Sequence, residues 1–210
     1  MIRVERRSWI VGAVGLAASL IGAFTQPQAF FPGYLVAFIF WLGLSLGAMA
    51  VLMMHGLVGG SWGFMTRRIL EAATRVLPVM ALLFLPLLFG LETLYPWTRP
   101  GEALIHQRPY LNLGFFLVRS ALYFACWFGC AYFLNRWSTL EDRTADPSLA
   151  IRRRRLSGGG LLLYGLTVYF ASVDWVMSTE PRWSSSIFGL LFIASQALGA
   201  FALITATAVF

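Results

Sequence analysis

"YLVAFIFWLGLSLGAMAVLMMHGL", residues 34–57, carries no Asp, Glu, Lys or Arg. At about 1.5 Å of rise per residue, a helix over this stretch is long enough to cross about 30 Å of hydrocarbon. Working outward, comparable apolar runs cover residues 9–24, 72–91, 111–134, 160–177 and 185–210. Hydrophobic residues make up 59% of the 210-residue chain and charged residues 12%. Soluble domains average about 45–50% and about 25%. A soluble fold of this length could not cover so much apolar surface, so lipid must be its solvent. The expectation is an all-α, polytopic transmembrane helix bundle of about six spans, residues 1–210 forming one integral membrane domain.

The basic residues set the orientation. All 16 are arginines. Arg3, Arg6 and Arg7 precede the first run, and Arg67, Arg68 and Arg75 lie around the connection from the second to the third. Arg136, Arg143, Arg152, Arg153, Arg154 and Arg155 lie between the fourth and fifth. Only Arg99, Arg108 and Arg182 fall in the alternate connections, and Arg119 is inside the fourth run. Twelve against three is a strong positive-inside bias and places the N-terminus in the cytoplasm. Arginines flanking spans are explained by topology and lipid headgroups, so the net charge of +7 does not point to nucleic acid. No clean small-x-small cleavage site follows the first run, and five more runs do, so an uncleaved helix is expected rather than a signal peptide.

Few side chains remain for chemistry. His55 falls at the inner end of the second run and His106 in an outer connection, so the bilayer separates them and they cannot clamp one haem. There is no CxxCH motif, no phosphate loop around residues 158–160 and no serine-hydrolase elbow. Cys126 and Cys130, four residues apart on one helix face, are placed for packing rather than for a disulfide or a metal. Gly43-x-x-x-Gly47 is a close-approach pattern, and Pro78 and Pro86 should bend the third span. Trp127, Phe128 and Trp175 are open to quinone or lipid contact, and lipid or core contact is much the more frequent reason for aromatics in a span.

The carboxylates say more. Glu71 has Arg75 four residues on and reads as one half of a helix-end ion pair. With His55, the same Glu71 reads as a proton entry on the inner side, since histidine exchanges protons near neutral pH. Asp174, a turn before the end of the fifth span, and Glu180 just beyond it supply the outer complement. Arg119 should lie about 13 Å below the outer surface and must face the bundle with an acidic partner. Depth along the helices makes Asp174 that partner.

Two stretches carry a resemblance: "HGLVGGSWGFMTRRILEAATRVLPVM" (55–80) and "SVDWVMSTEPRWSSSIFG" (172–189). Together with the rest of the chain they resemble the second NrfD-like (polysulfide-reductase-type) membrane subunit of alternative complex III, a quinol:cytochrome c oxidoreductase. The resemblance implies about ten helices in two four-helix bundles with peripheral helices, of which this chain is the N-terminal part. It implies a respiratory complex in the bacterial inner membrane, with a sister NrfD-like subunit, an iron–sulfur protein and a multihaem cytochrome c as partners. Quinol is oxidised there, while haem c and the iron–sulfur clusters sit on partner subunits and none on this chain. The role implied here is scaffolding, with proton conduction or quinone contact. A self-sufficient transporter and a purely structural anchor are the competing readings.

Overall fold

The computed structural model describes residues 10, 12, 14, 15, 17, 19, 21–60, 63, 66–99 and 109–209. Part of the first apolar run, together with Arg3, Arg6, Arg7, His106 and Arg108, lies outside the described residues. Regular structure among the described residues is entirely helical. The labelled helices are α1 (Pro27–Val58), α2 (Arg67–Thr74), α3 (Leu77–Phe89), α4 (Leu91–Leu94), α5 (Leu113–Thr144), α6 (Pro147–Trp175) and α7 (Phe188–Val209). Short 3-10 turns at Pro96–Thr98 and Met177–Thr179 follow α4 and α6. Among the described residues, five helical segments are long and apolar enough to span a bilayer: Pro27–Val58, Arg67–Phe89, Leu113–Thr144, Pro147–Thr179 and Phe188–Ala208.

Local chemistry sets the boundaries. Pro78 has no N–H to continue the ladder from α2, and the chain breaks at Arg75 and Val76 before restarting as α3. Pro86, by contrast, lies within α3. Asn112 caps α5, its Oδ1 accepting from Phe115 N at 2.9 Å. Asp146 caps α6, accepting from Ser148 N at 2.8 Å, with Pro147 in the first turn. Between α5 and α6 only Ala145 and Asp146 are non-helical, and Ala145 adopts the left-handed conformation (φ 52°). This corrects the expected long loop between the fourth and fifth spans. The 32 residues of α5 make a rod of about 48 Å, well beyond hydrocarbon thickness. The four consecutive arginines at 152–155 therefore ride on α6, not on a loop. Apolar runs mark only the stretch of helix that lipid touches, and charged headgroup-level turns continue the same helix.

Helices α1, α3, α5 and α6 pack side by side around a common core, and α7 covers α1 and α6. Lipid removes the hydrophobic drive for helices to associate, so close packing must replace it. Small residues supply that closeness. A Cβ on Gly47 would collide with the Gln196 backbone carbonyl of α7, and one on Gly56 would stand 2.6 Å from Ser157 Oγ of α6. Gly43 and Gly47 are thus the seat of α7. The centre is aromatic: Phe38, Phe84, Phe124, Trp127 and Trp175 stack with centroid separations between 4.9 and 6.2 Å. Trp127 Nε1 donates to Thr167 Oγ1 at 2.9 Å, satisfying its polar tip inside that core. The large exposed side chains, such as Phe40, Leu82, Leu122, Leu166 and Leu198, form the apolar exterior that a bilayer would solvate.

Candidate functional site

The long antiparallel helices α5 and α6 place one buried ionic cluster near each of their ends. Arg119 begins the first. It points inward from the second turn of α5 because it continues the buried stripe Phe116, Ser120, Tyr123 and Trp127. Its guanidinium forks onto Asp174 of α6, Nε to Oδ2 at 2.7 Å and Nη2 to Oδ1 at 2.9 Å. Tyr123 donates to the same Oδ2 at 2.7 Å, and Arg119 Nη1 donates to the Tyr110 carbonyl at 3.0 Å. The Tyr110 and Phe115 rings cover the guanidinium at 3.9 and 4.3 Å. Asp174 is 0% exposed and Arg119 7%. Such a pair is stable because both carboxylate oxygens and all three guanidinium nitrogens have partners; either charge alone would be stranded.

The surroundings extend this closure. Trp175 Nε1 donates to Ser120 Oγ at 3.0 Å, and Tyr95 donates to the Trp175 carbonyl at 3.0 Å. Burial, and secondarily the Asp174 carboxylate, push the Tyr95 hydroxyl far above the ordinary tyrosine range. The same two causes, in that order, push Tyr110 up to about 12. Both phenols therefore stay neutral beside the carboxylate. Glu180 lies apart from this cluster. It is exposed at the end of the 3-10 turn, because the chain leaves the bundle after Ser178.

The second cluster gathers around Glu71. It is 1% exposed, and its oxygens take Arg67 Nε and Arg68 Nη1, each at 2.8 Å. Ser138 of α5 also donates to Oε1. The expected Glu71–Arg75 pair is corrected. The break before Pro78 ends α2 at Thr74, and Arg75 turns to Asn135, donating from Nε to Oδ1 at 3.2 Å. Beyond Glu71 the network grows. Arg67 Nη2 lies 3.7 Å from Glu141 and 3.8 Å from Asp142, while Arg68 also pairs with Asp142. Arg153 Nη2 reaches Glu141 at 3.2 Å. Three guanidinium groups thus face three carboxylates.

His55 borders this network. It shares a cavity of about 10 Å³, room for about one water, with Glu71, Arg153 and Ser157. Its Nε2 lies 3.1 Å from the Gly60 carbonyl. The structure therefore brings His55 and Glu71 to one small space, and sets Arg119 and Asp174 apart from them. Along α5, Arg119 and Ser138 are about 28 Å apart, close to the thickness of hydrocarbon.

Sequence reading missed Tyr123, Ser138, Glu141, Asp142 and Arg153. Extending the inward stripe of α5 past Leu134 would have found Ser138 and the two carboxylates after it. The fourth apolar run ends there. The cysteines are free, Cys130 buried and Cys126 half-buried. Among the described residues no three His, Cys, Asp or Glu side chains converge on a point that a metal ion could occupy. Comparison with models of known protein families finds no match for this chain, and comparison with curated proteins finds none either.

Proposed function

We infer that this chain is a membrane subunit of a respiratory quinol:cytochrome c oxidoreductase of the alternative complex III type. In this reading it is a scaffold that also relays protons at the two faces of a bacterial inner membrane. The chain crosses six times with its N-terminus in the cytoplasm, in an NrfD-like arrangement. Haem c and iron–sulfur clusters belong to its partners, a multihaem cytochrome and an iron–sulfur protein, beside a sister NrfD-like subunit.

One observation carries the reading. The two stretches that bear the family resemblance fold onto the two ionic clusters, residues 55–80 supplying His55, Glu71, Arg67 and Arg68, and residues 172–189 supplying Asp174. Buried ionisable groups within spans are costly and mark ion or proton routes. Here the inner group has a histidine and a water-sized space beside its carboxylate. The stacked core of Trp127, Trp175 and Phe124 lies between the clusters, so the routes are two half-channels rather than one pore.

A structural-anchor reading draws support from the same geometry, because Asp174 and Glu71 are fully matched by guanidinium groups. The two are separated in the intact complex, isolated by gentle solubilisation with its cytochrome and iron–sulfur protein. Glu71→Gln combined with His55→Asn should leave quinol oxidation measurable and lower the protons moved per electron in sealed vesicles. Unchanged stoichiometry in an assembled complex would leave the anchor reading. Purification as a homogeneous single-chain assembly would instead favour a transporter.

A further inference from the structure

A groove of about 720 Å³ lies between the α2–α3 break and the last four turns of α5. It opens because Pro78 interrupts the helix there, with Thr74, Arg75 and Leu77 forming one wall. The other wall is a stripe at helical spacing from Phe128 through Tyr132 and Arg136 to Arg143. Chemistry changes along that stripe. Its deep end, at Phe128, Ala131 and Leu77, is apolar; its end at the membrane edge carries Arg75, Arg136 and Arg143. From Phe128 to Arg143 the stripe is about 22 Å long.

The charges distinguish this groove from both ionic clusters. Arg67, Arg68, Arg119 and Arg153 each face a carboxylate. Among the described residues, Arg75, Arg136 and Arg143 face none. Arg75 donates to the neutral Asn135 at 3.2 Å, and Arg136 to the Tyr132 hydroxyl at 2.5 Å. All three are exposed. A polar mouth with three uncompensated cations over an apolar slot complements an amphiphile with an anionic head.

We propose that this groove binds one anionic phospholipid, its phosphate between Arg75, Arg136 and Arg143 and an acyl chain along Leu77, Pro78 and Phe128. The break before Pro78 gives the chain its slot, and Asn135, donating to Thr74 Oγ1 at 2.8 Å, holds the two walls in register. Guanidinium groups suit phosphate oxygens because their donors form a planar fork. The site rests on the chain's membrane-spanning character and is independent of the respiratory assignment.

The test uses the full-length protein with its native partners in phosphatidylcholine nanodiscs. Photoactivatable phosphatidylglycerol is added in one arm and photoactivatable phosphatidylcholine, at equal mole fraction, in the other. Crosslinked peptides covering residues 74–78 and 128–143 should appear at least about ten-fold more often with the anionic probe. The triple variant Arg75→Gln, Arg136→Gln, Arg143→Gln changes only exposed side chains and should bring the two probes to parity. Thr139→Trp narrows the slot with the arginines in place and should also lower the anionic crosslinks at an unchanged unfolding midpoint. Equal labelling by both probes in the unaltered protein would overturn the site. So would absent labelling there, which would mean that a protein helix fills the groove. Labelling that survives Thr139→Trp would reduce the arginines to a surface patch that attracts headgroups without a slot, and would overturn it equally.

Discussion

Asp174 and Glu71 are both almost completely buried, and each holds guanidinium partners, yet they are held in different ways. Asp174 meets one arginine face to face, with Tyr123 as a third donor and aromatic rings covering the cation. Glu71 sits in a mesh of three cations and three carboxylates that reaches across α2, α5 and α6 and ends at a histidine. A one-to-one clamp has no second arrangement to adopt; losing either member strands the other. A mesh can redistribute charge among neighbours when one member gains or loses a proton. The difference separates rigidity from adaptability at the two edges of a single bundle.

Removing the clamp's cation should have the largest effect. Arg119→Leu leaves Asp174 buried and unmatched, at a cost of about 3–5 kcal/mol. Adding Asp174→Asn should restore much of the lost thermal stability in detergent, and a double variant no better than the single would break the contrast. Next in size is Glu71→Gln, where the amide can still accept from Ser138 and Arg67 retains Glu141 and Asp142 within 3.8 Å. A loss of about 1–3 kcal/mol is expected, smaller than for Arg119→Leu in the same unfolding assay. A Glu71 effect equal to that of Arg119 would show that the mesh is as brittle as the clamp.

The smallest effect concerns Asp146 in the turn that joins α5 to α6. Its bonds to Ser148 N and Oγ hold its carboxyl below the usual carboxylate range. A depressed folded-state value means that the contribution is present above the unfolded-state value, about 3.9, and is lost as pH falls through the lower folded one. Asp146→Ala should therefore slightly lower the unfolding midpoint at neutral pH, with the gap to the parent closing under strongly acidic conditions. A gap that widens on acidification would assign Asp146 a different role.

Some of this architecture was legible in the sequence, for identifiable reasons. An arginine within an apolar helix must find a carboxylate at its own depth, and counting residues from the helix ends leads from Arg119 to Asp174. Glu71 was ambiguous because arginines stand at three, four and four residues from it, at Arg68, Arg67 and Arg75. Only the fold decides which of them shares its face, and the break before Pro78 turns Arg75 away. The ends of α5 and α6 were illegible from hydropathy, since helix propensity and caps carry those turns past the lipid without apolar residues. Glu141, Asp142 and Arg153 were hidden with them.

The tight turn at Ala145 and Asp146 also bears on how the chain enters a bilayer. Arg119 and Asp174 stand 55 positions apart, yet they belong to the two arms of one helical hairpin. A charged side chain carried alone into the middle of a bilayer costs about 2.5–3.5 kcal/mol even on the mildest insertion scale. Arms joined by so short a connection can enter as a unit, each delivering the other's counter-ion. The hairpin thus carries both members of the buried pair within one helical unit.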